Sequence, residues 1–347
     1  IGLCYVWLIA DAKAASAASV SALGLCAKVI VPSLFPFFVC SNLFCALGLE
    51  KPMERALSRV MEPVFGVPGS GAAALFVGLT GGYPSGAQSV GALYGSGSID
   101  RQTAKRLLLF CNNCGPAFLF GVVGPSVFGS SLAGLLLYLV HVASSLLLGI
   151  FVRKSGHMQE RNAQGAEKSP PVSFSSALTA SVRKSGQTAL EVCMFVVVFG
   201  VVTAMVQTAL RPVLPDWALV IVSGLLELSG GASALAEAAM PQGVKFAIAS
   251  FFLAFGGLSV HAQTKAVLSS AGLEGLPVFF PKLLHALLAG VLSLPVYALF
   301  RTQLEAAQVF LPQAPALLLP AMELMLCAAI CLAFRKMAGS NLRRDRV

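Results

Sequence analysis

Polar residues interrupt an otherwise apolar sequence at four places. The first is Leu79-Thr80-Gly81-Gly82-Tyr83-Pro84-Ser85-Gly86-Ala87-Gln88, and about one helix later comes Phe110-Cys111-Asn112-Asn113-Cys114-Gly115-Pro116. The pairing recurs downstream as Leu226-Glu227-Leu228-Ser229-Gly230-Gly231-Ala232-Ser233 and Phe255-Gly256-Gly257-Leu258-Ser259-Val260-His261-Ala262-Gln263. Gly82 and Gly86 permit a tight reversal, and Pro84 withholds a donor. Amides freed between Tyr83 and Gly86 would form a partly positive site for an anionic or strongly polar group, to which Ser85 and Gln88 add side-chain hydrogen bonds. Asn112 and Asn113 need partners in an apolar setting; being adjacent they point different ways, so one can face a solute while the other ties helix to hairpin. Glu227, beside Ser229 and Gly230, can coordinate a cation, carry a proton or pair with a buried polar group. Ser259, His261 and Gln263 alternate through the fourth interruption, and His261 can titrate near neutral pH or donate and accept as a neutral ring. Each feature also has a plainer reading: an architectural turn, a tether between helices, a structural pair, a packed histidine.

The elements that must position these residues follow from hydropathy. The chain has 347 residues, 56% of them hydrophobic and 11% charged, and its mean hydropathy is +0.81. A soluble surface needs roughly a quarter of its residues charged, so this composition implies an all-α polytopic membrane protein. Inside a bilayer, backbone leaves its helical ladder only where protein or water satisfies the freed groups. A long apolar stretch, Ala17 to Leu49, is expected to break at Pro32 and Pro36, and an amphipathic piece follows from Glu50 to Glu62. The arms on either side of Gly81–Gly86 are too short to span, which predicts a re-entrant hairpin. Spans are expected at Leu107 to Val127 and Ser131 to Val152, then a hydrophilic loop. A span from Thr188 to Leu210, a second hairpin from Trp217 to Met240, and spans at Lys245 to Val267, Phe279 to Phe300 and Ala314 to Phe334 complete the order.

This order divides the chain into an N-terminal half with a first hairpin unit (1–152), a cytoplasmic loop (153–185), a second unit (186–300) and a last span with a basic tail (301–347). Placing Arg153 to Lys184 in the cytoplasm also places Lys51, Arg55, Arg59, Arg101, Lys105 and Arg106 there, together with Lys265, Lys282 and the C-terminal arginines, leaving Arg211, Lys245 and Arg301 outside. On that orientation the first hairpin enters from the cytoplasm and the second from the opposite side. The predicted fold is therefore a pair of inverted repeats, each with a re-entrant hairpin and a discontinuous helix, an arrangement typical of transporters.

Several function classes are disfavoured. The net charge of +9 resides in short connections and the C-terminus without an aromatic platform, so it reads as membrane orientation rather than nucleic-acid binding. Nine cysteines lie almost all in apolar runs and read as small hydrophobes; Cys111-x-x-Cys114 has no second Cys or His pair nearby. No paired carboxylates, zinc motif or nucleophile elbow suggests an enzyme. No cofactor or metal is expected. Residues Ile1 to Ala10 read as the tail of a first span rather than a signal peptide. Glu191 falls near an interface, Glu323 lies outside the repeated unit, and His141 and His285 look isolated.

The segments Val31-Pro32-Ser33-Leu34-Phe35-Pro36-Phe37-Phe38, Gly81 to Gln88, Phe110 to Pro116 and Phe255 to Gln263 resemble the sporulation integral membrane proteins of the YlbJ type, within the broader group with nucleoside-recognition or gate domains. That group looks like a distant relative of concentrative nucleoside transporters. The resemblance implies passage of a small solute across a cell membrane, or a membrane around the forespore, during endospore formation, with dipicolinate a leading candidate. It places solute contacts at Gly82 to Gly86 and Asn112-Asn113 in one half, and at Glu227 to Gly230 and Ser259 to Gln263 in the other. The expected function is transport of a small polar or anionic solute, with Na⁺ or proton coupling through Glu227 or His261. The alternatives are a nucleoside-type transporter and a non-transporting scaffold of the same fold. The expected partners are the solute and the lipid bilayer, compatible with a homo-oligomer.

Overall fold

A computed structural model describes residues 2–153 and 173–310, and every regular element in them is helical. In chain order these are α1 (Gly2–Ala10), α2 (Ala12–Ala46), α3 (Glu50–Val60), α4 (Gly71–Gly81), α5 (Ser85–Gly95), α6 (Arg101–Cys111), α7 (116–128), α8 (Ser131–Phe151), α9 (Phe174–Leu210), α10 (Asp216–Leu226), α11 (Leu228–Glu237), α12 (Gln242–Phe255), α13 (Gly257–Ser270) and α14 (Phe279–Phe310). Among the described residues six helical runs are long and apolar enough to cross a membrane: α2, α6 with α7, α8, α9, α12 with α13, and α14. The span expected from Ala314 to Phe334, Glu323 within it, and the basic tail lie outside the described residues.

Two local expectations change. α2 does not break at its prolines. A π-helical turn, Cys26–Ile30, precedes Pro32 and widens the coil where the proline ring would meet the Lys28 carbonyl four residues back. Ser33 Oγ then donates to the Val29 and Ile30 carbonyls at 2.7 and 3.2 Å. α7 repeats the device: the π turn Leu119–Val123 lies ahead of Pro125, and Ser126 Oγ donates to the Val122 carbonyl at 2.6 Å. The hydrophilic loop is also shorter than 153–185, because α9 starts at Phe174, capped by Ser173 Oγ on the Ser176 amide at 3.2 Å. Ser181 and Ser185 are buried on its first turns, and Asn42 Nδ2 of α2 donates to Ser185 Oγ at 2.9 Å, which holds that extension against the protein.

Short arms fold back as pairs. α4 and α5 have 11 residues each, and α10 and α11 have 11 and 10. At about 1.5 Å per residue no arm approaches the roughly 30 Å of a hydrocarbon core. Glycine lets the arms and the broken helices meet at backbone distance. A Cβ on Gly78 or Gly86 would fall 1.6 or 2.0 Å from the Cys111 carbonyl oxygen, and one on Gly231 would fall 2.2 Å from the Gly224 Cα.

The largest buried core draws on both parts of the chain: Tyr83, Phe118, Leu119 and Leu137 pack in one cluster with Leu228, Phe246, Phe252 and Val260. The outer helices are apolar on the wrong face for water. On α14, Leu284, Leu287, Val291 and Leu294 are exposed, whereas Lys282, His285, Ala286, Ala289 and Ser293 are buried. A helix that hides its polar stripe and presents its leucines belongs in lipid.

Candidate functional site

The four polar interruptions are all helix breaks, and they pack against one another. Gly82 adopts a left-handed φ of 80° between α4 and α5, which brings it against Gly115 between α6 and α7; a Cβ on Gly82 would lie 2.8 Å from the Gly115 nitrogen. Downstream, Gly256 and Gly257 both have left-handed φ, and a Cβ on Gly257 would lie 3.1 Å from the Leu228 nitrogen and 3.2 Å from the Leu226 carbonyl oxygen. The two pairs are joined by Tyr83, whose hydroxyl donates to the Leu253 and Ala254 carbonyls at 3.2 Å each, at the C-terminal end of α12. A second join is Asn112, whose Nδ2 donates to Thr264 Oγ1 on α13 at 3.0 Å.

The side chains singled out by sequence divide by what they touch. Asn112 Oδ1 also accepts from the Ala87 amide at 3.4 Å, so this residue ties hairpin, broken helix and α13 together. Asn113 Nδ2 donates to the Phe110 carbonyl at 2.6 Å, and its buried Oδ1 has no partner among the described residues. Glu227 is in extended conformation and caps α11, its two oxygens accepting from the Ser229 and Gly230 amides at 3.0 and 2.5 Å. His261 Nε2 reaches the Phe255 carbonyl at 3.0 Å, leaving Nδ1 buried without a partner among the described residues. Gln263 Nε2 donates to Ser259 Oγ at 3.2 Å, one turn back on α13, and both residues are buried. Gln88 points the other way and donates to Thr188 Oγ1 on α9 at 3.0 Å. Ser85 and Gly86 are buried beside it.

A second set of residues completes the site, and two sequence expectations fail here. Lys282, taken as a cytoplasmic charge, is 2% exposed, and its ammonium donates to the Asn112 carbonyl freed by the break after α6. It also lies 5.0 Å from the centre of the Tyr83 ring. His141 and His285 are not isolated: their rings lie 4.8 Å apart, Lys282 Nζ is 3.5 Å from His285 Nδ1, and His285 Nε2 reaches the His141 carbonyl and Ser144 Oγ at 3.2 and 3.0 Å. His141 Nε2 accepts from the Cys114 amide at 3.1 Å, and Ser145 Oγ donates to the Phe110 carbonyl at 2.8 Å. Thus α8 and α14 satisfy the groups that the break leaves open, as a non-helical stretch inside a membrane requires. The readable signal was Lys282-x-x-His285, two ionisable residues on one face of an apolar run. Lys245 is interior as well, its Nζ donating to the Ala236 carbonyl near the end of α11 at 2.9 Å. Neither lysine therefore reports on orientation.

An open cavity of about 610 Å³ adjoins the first hairpin, bounded by Ser41 and Asn42 of α2, Ser85, Gln88 and Ser89 of α5, Ser181 and Lys184 of α9, and Glu50, Lys51 and Glu54. Of the residues at the four breaks, Ser85 and Gln88 reach its wall. Burial raises the Glu50 carboxyl above its ordinary range, and burial with Glu50 nearby raises Glu54 to about 7.

Fold and site together define a multi-pass helical integral membrane protein whose interior polar centre is assembled from helix breaks. The chain is 30% identical over 317 residues to the sporulation integral membrane protein YlbJ of Bacillus subtilis (strain 168), a match covering 82% of this chain and 78% of that protein. It belongs to that family of sporulation integral membrane proteins. No family model matches the chain, and no solved structure matches it.

Proposed function

We propose that this protein transports a small polar or anionic solute across a membrane during endospore formation. The observation that carries the reading is the meeting of all four helix breaks at one buried place, through Tyr83 on the Leu253 and Ala254 carbonyls and Asn112 on Thr264. Backbone irregularity is costly at membrane depth. Placing four such irregularities together, with Asn113 Oδ1, His141 Nδ1 and His261 Nδ1 left without partners among the described residues, suits a site that exchanges its polar contacts with a solute. The element order also supports two related units: α4–α5, α6–α7 and α8 correspond to α10–α11, α12–α13 and α14. With basic connections on the cytoplasmic side the units run in opposite directions, and their short paired helices become re-entrant hairpins.

Dipicolinate, an aromatic dianion, is the leading candidate solute on the family resemblance, ahead of nucleosides. The relative's name places that protein in sporulation, which supports the same cellular setting here. Alternating access would open the centre to each side in turn, and the cavity at Ser85 and Gln88 is a route towards it from one side. The competing reading, a membrane scaffold that kept the fold, draws on the close packing of Gly82 on Gly115 and of Gly257 on Leu228. Uptake by reconstituted vesicles decides between them. Vesicles offered dipicolinate or nucleosides, under separately imposed proton and Na⁺ gradients, should accumulate dipicolinate; uptake of neither solute selects the scaffold.

A further inference from the structure

We propose that Lys282 is the anion-pairing group of this site, exchanging the Asn112 carbonyl for a carboxylate of the bound ligand. An ammonium in a buried position is stable only with a partner of opposite charge or a complete set of acceptors. Lys282 has neither. Among the described residues no carboxylate lies within ion-pair distance of it. Its neighbours are the Asn112 carbonyl, the Tyr83 ring, His285 Nδ1 and, within electrostatic reach, the thiols of Cys111 and Cys114 and the rings of His141 and His261.

Hydrogen bonding fixes what the histidines offer. His285 Nε2 faces the His141 carbonyl, an acceptor, so Nε2 carries the proton and Nδ1 is the lone pair turned to Lys282. His141 Nε2 accepts from the Cys114 amide, so its buried Nδ1 carries a proton that no atom of the described residues receives. Among the described residues the centre thus holds a basic amine without a carboxylate partner and a buried N–H donor without an acceptor. Both are complementary to a carboxylate, and neither is complementary to a metal ion. A carboxylate that displaced the Asn112 carbonyl would convert a charge–dipole contact into an ion pair, while the Tyr83 ring face covers the ammonium from another side.

This inference rests on the transport reading for its physiological meaning, but binding can be measured without transport. The test uses the purified full-length protein and two probes of the same shape, dipicolinate and its neutral diamide, with affinities measured by calorimetry. Wild type should bind dipicolinate at least about tenfold more tightly than the diamide. Lys282→Met should bind dipicolinate about a hundredfold more weakly than wild type, with diamide affinity unchanged, and Lys282→Arg should recover part of the loss. Equal affinity of wild type for the two probes overturns the proposal, as does binding of neither, and that comparison stands even if Lys282→Met does not fold. Full dipicolinate affinity in Lys282→Met also overturns it. Anion binding without vesicle uptake would keep this inference and remove the transport reading; uptake of a neutral solute without anion binding would do the reverse.

Discussion

Gly78→Ala tests the contact on which the site depends. The methyl group would sit 1.6 Å from the Cys111 carbonyl oxygen and 2.7 Å from its carbon, where ordinary contact begins at 3.4 Å. The obstacle is backbone, so no side chain can rotate away, and α4 must withdraw from the break by about 2 Å to restore ordinary contact. Overpacking of this kind costs about 1–3 kcal/mol, and an unyielding carbonyl belongs at the upper end. Replacing a helical glycine by alanine returns roughly 1 kcal/mol, leaving a net loss of about 2 kcal/mol. On the scale of about 2–4 °C per kcal/mol for mid-sized proteins, thermal unfolding in detergent, followed by circular dichroism, should fall several degrees. Gly186 on α9 has nothing within 4 Å of an added Cβ, so Gly186→Ala supplies the helix gain without the clash and should match or exceed wild type. If Gly78→Ala unfolds at or above the wild-type temperature, the close seating of the first hairpin on the α6 break is wrong.

Three further perturbations address other contacts. Tyr83→Phe removes the donor shared by the Leu253 and Ala254 carbonyls and should cost about 1–2 kcal/mol in the same unfolding assay; no loss would mean that the hydroxyl does not hold the two parts together. Glu227→Gln keeps one capping oxygen where Glu227→Ala keeps none, so Ala should be the more destabilising by about 1 kcal/mol. Equal, negligible losses would remove the capping role and return Glu227 to consideration for ion coupling. At Glu54 the folded protein holds the proton up to about pH 7, above the ordinary 4.5 of the free side chain. Its contribution to stability is therefore full below the unfolded value and declines as pH rises through 7. Glu54→Gln should flatten the pH dependence of unfolding across that window, and an unchanged slope would refute the assignment.

The breaks were legible because their signals are local. Gly82, Gly115, Glu227 and Gly256 each stand out against apolar neighbours, and each marks a point where the helical ladder stops. Their partners were less legible, because a buried contact depends on which way a neighbouring helix faces. Lys282 lies three residues into α14, where a lysine ordinarily reaches back to the interface, and only the stripe of Lys282, His285, Ala289 and Ser293 reveals that its face turns inward. Pro32 misled for a different reason: its effect on the helix was cancelled by a π turn and by Ser33, and sequence shows the proline but not the relief. The helical start of α9 was hidden likewise, since the buried faces of Ser181 and Ser185 look from composition like part of a polar linker.

The join between the segments 71–151 and 216–310 has an energetic consequence. Among the described residues it is crossed by eight polar contacts: two from Tyr83 to the α12 carbonyls, Asn112 to Thr264, Lys282 to the Asn112 carbonyl, His285 to the His141 carbonyl and to Ser144 Oγ, and two from Arg101 to the Gly272 and Glu274 carbonyls. At about 1 kcal/mol net for each, sliding one segment past the other forfeits about 8 kcal/mol of directional bonding, before the apolar core shared by the two segments is counted. That is more than the few kcal/mol separating a populated minor conformer from the main one, and a molecule that replaced two of those bonds in a displaced arrangement would offset only about 2 kcal/mol of it. The seam thus holds one arrangement at rest.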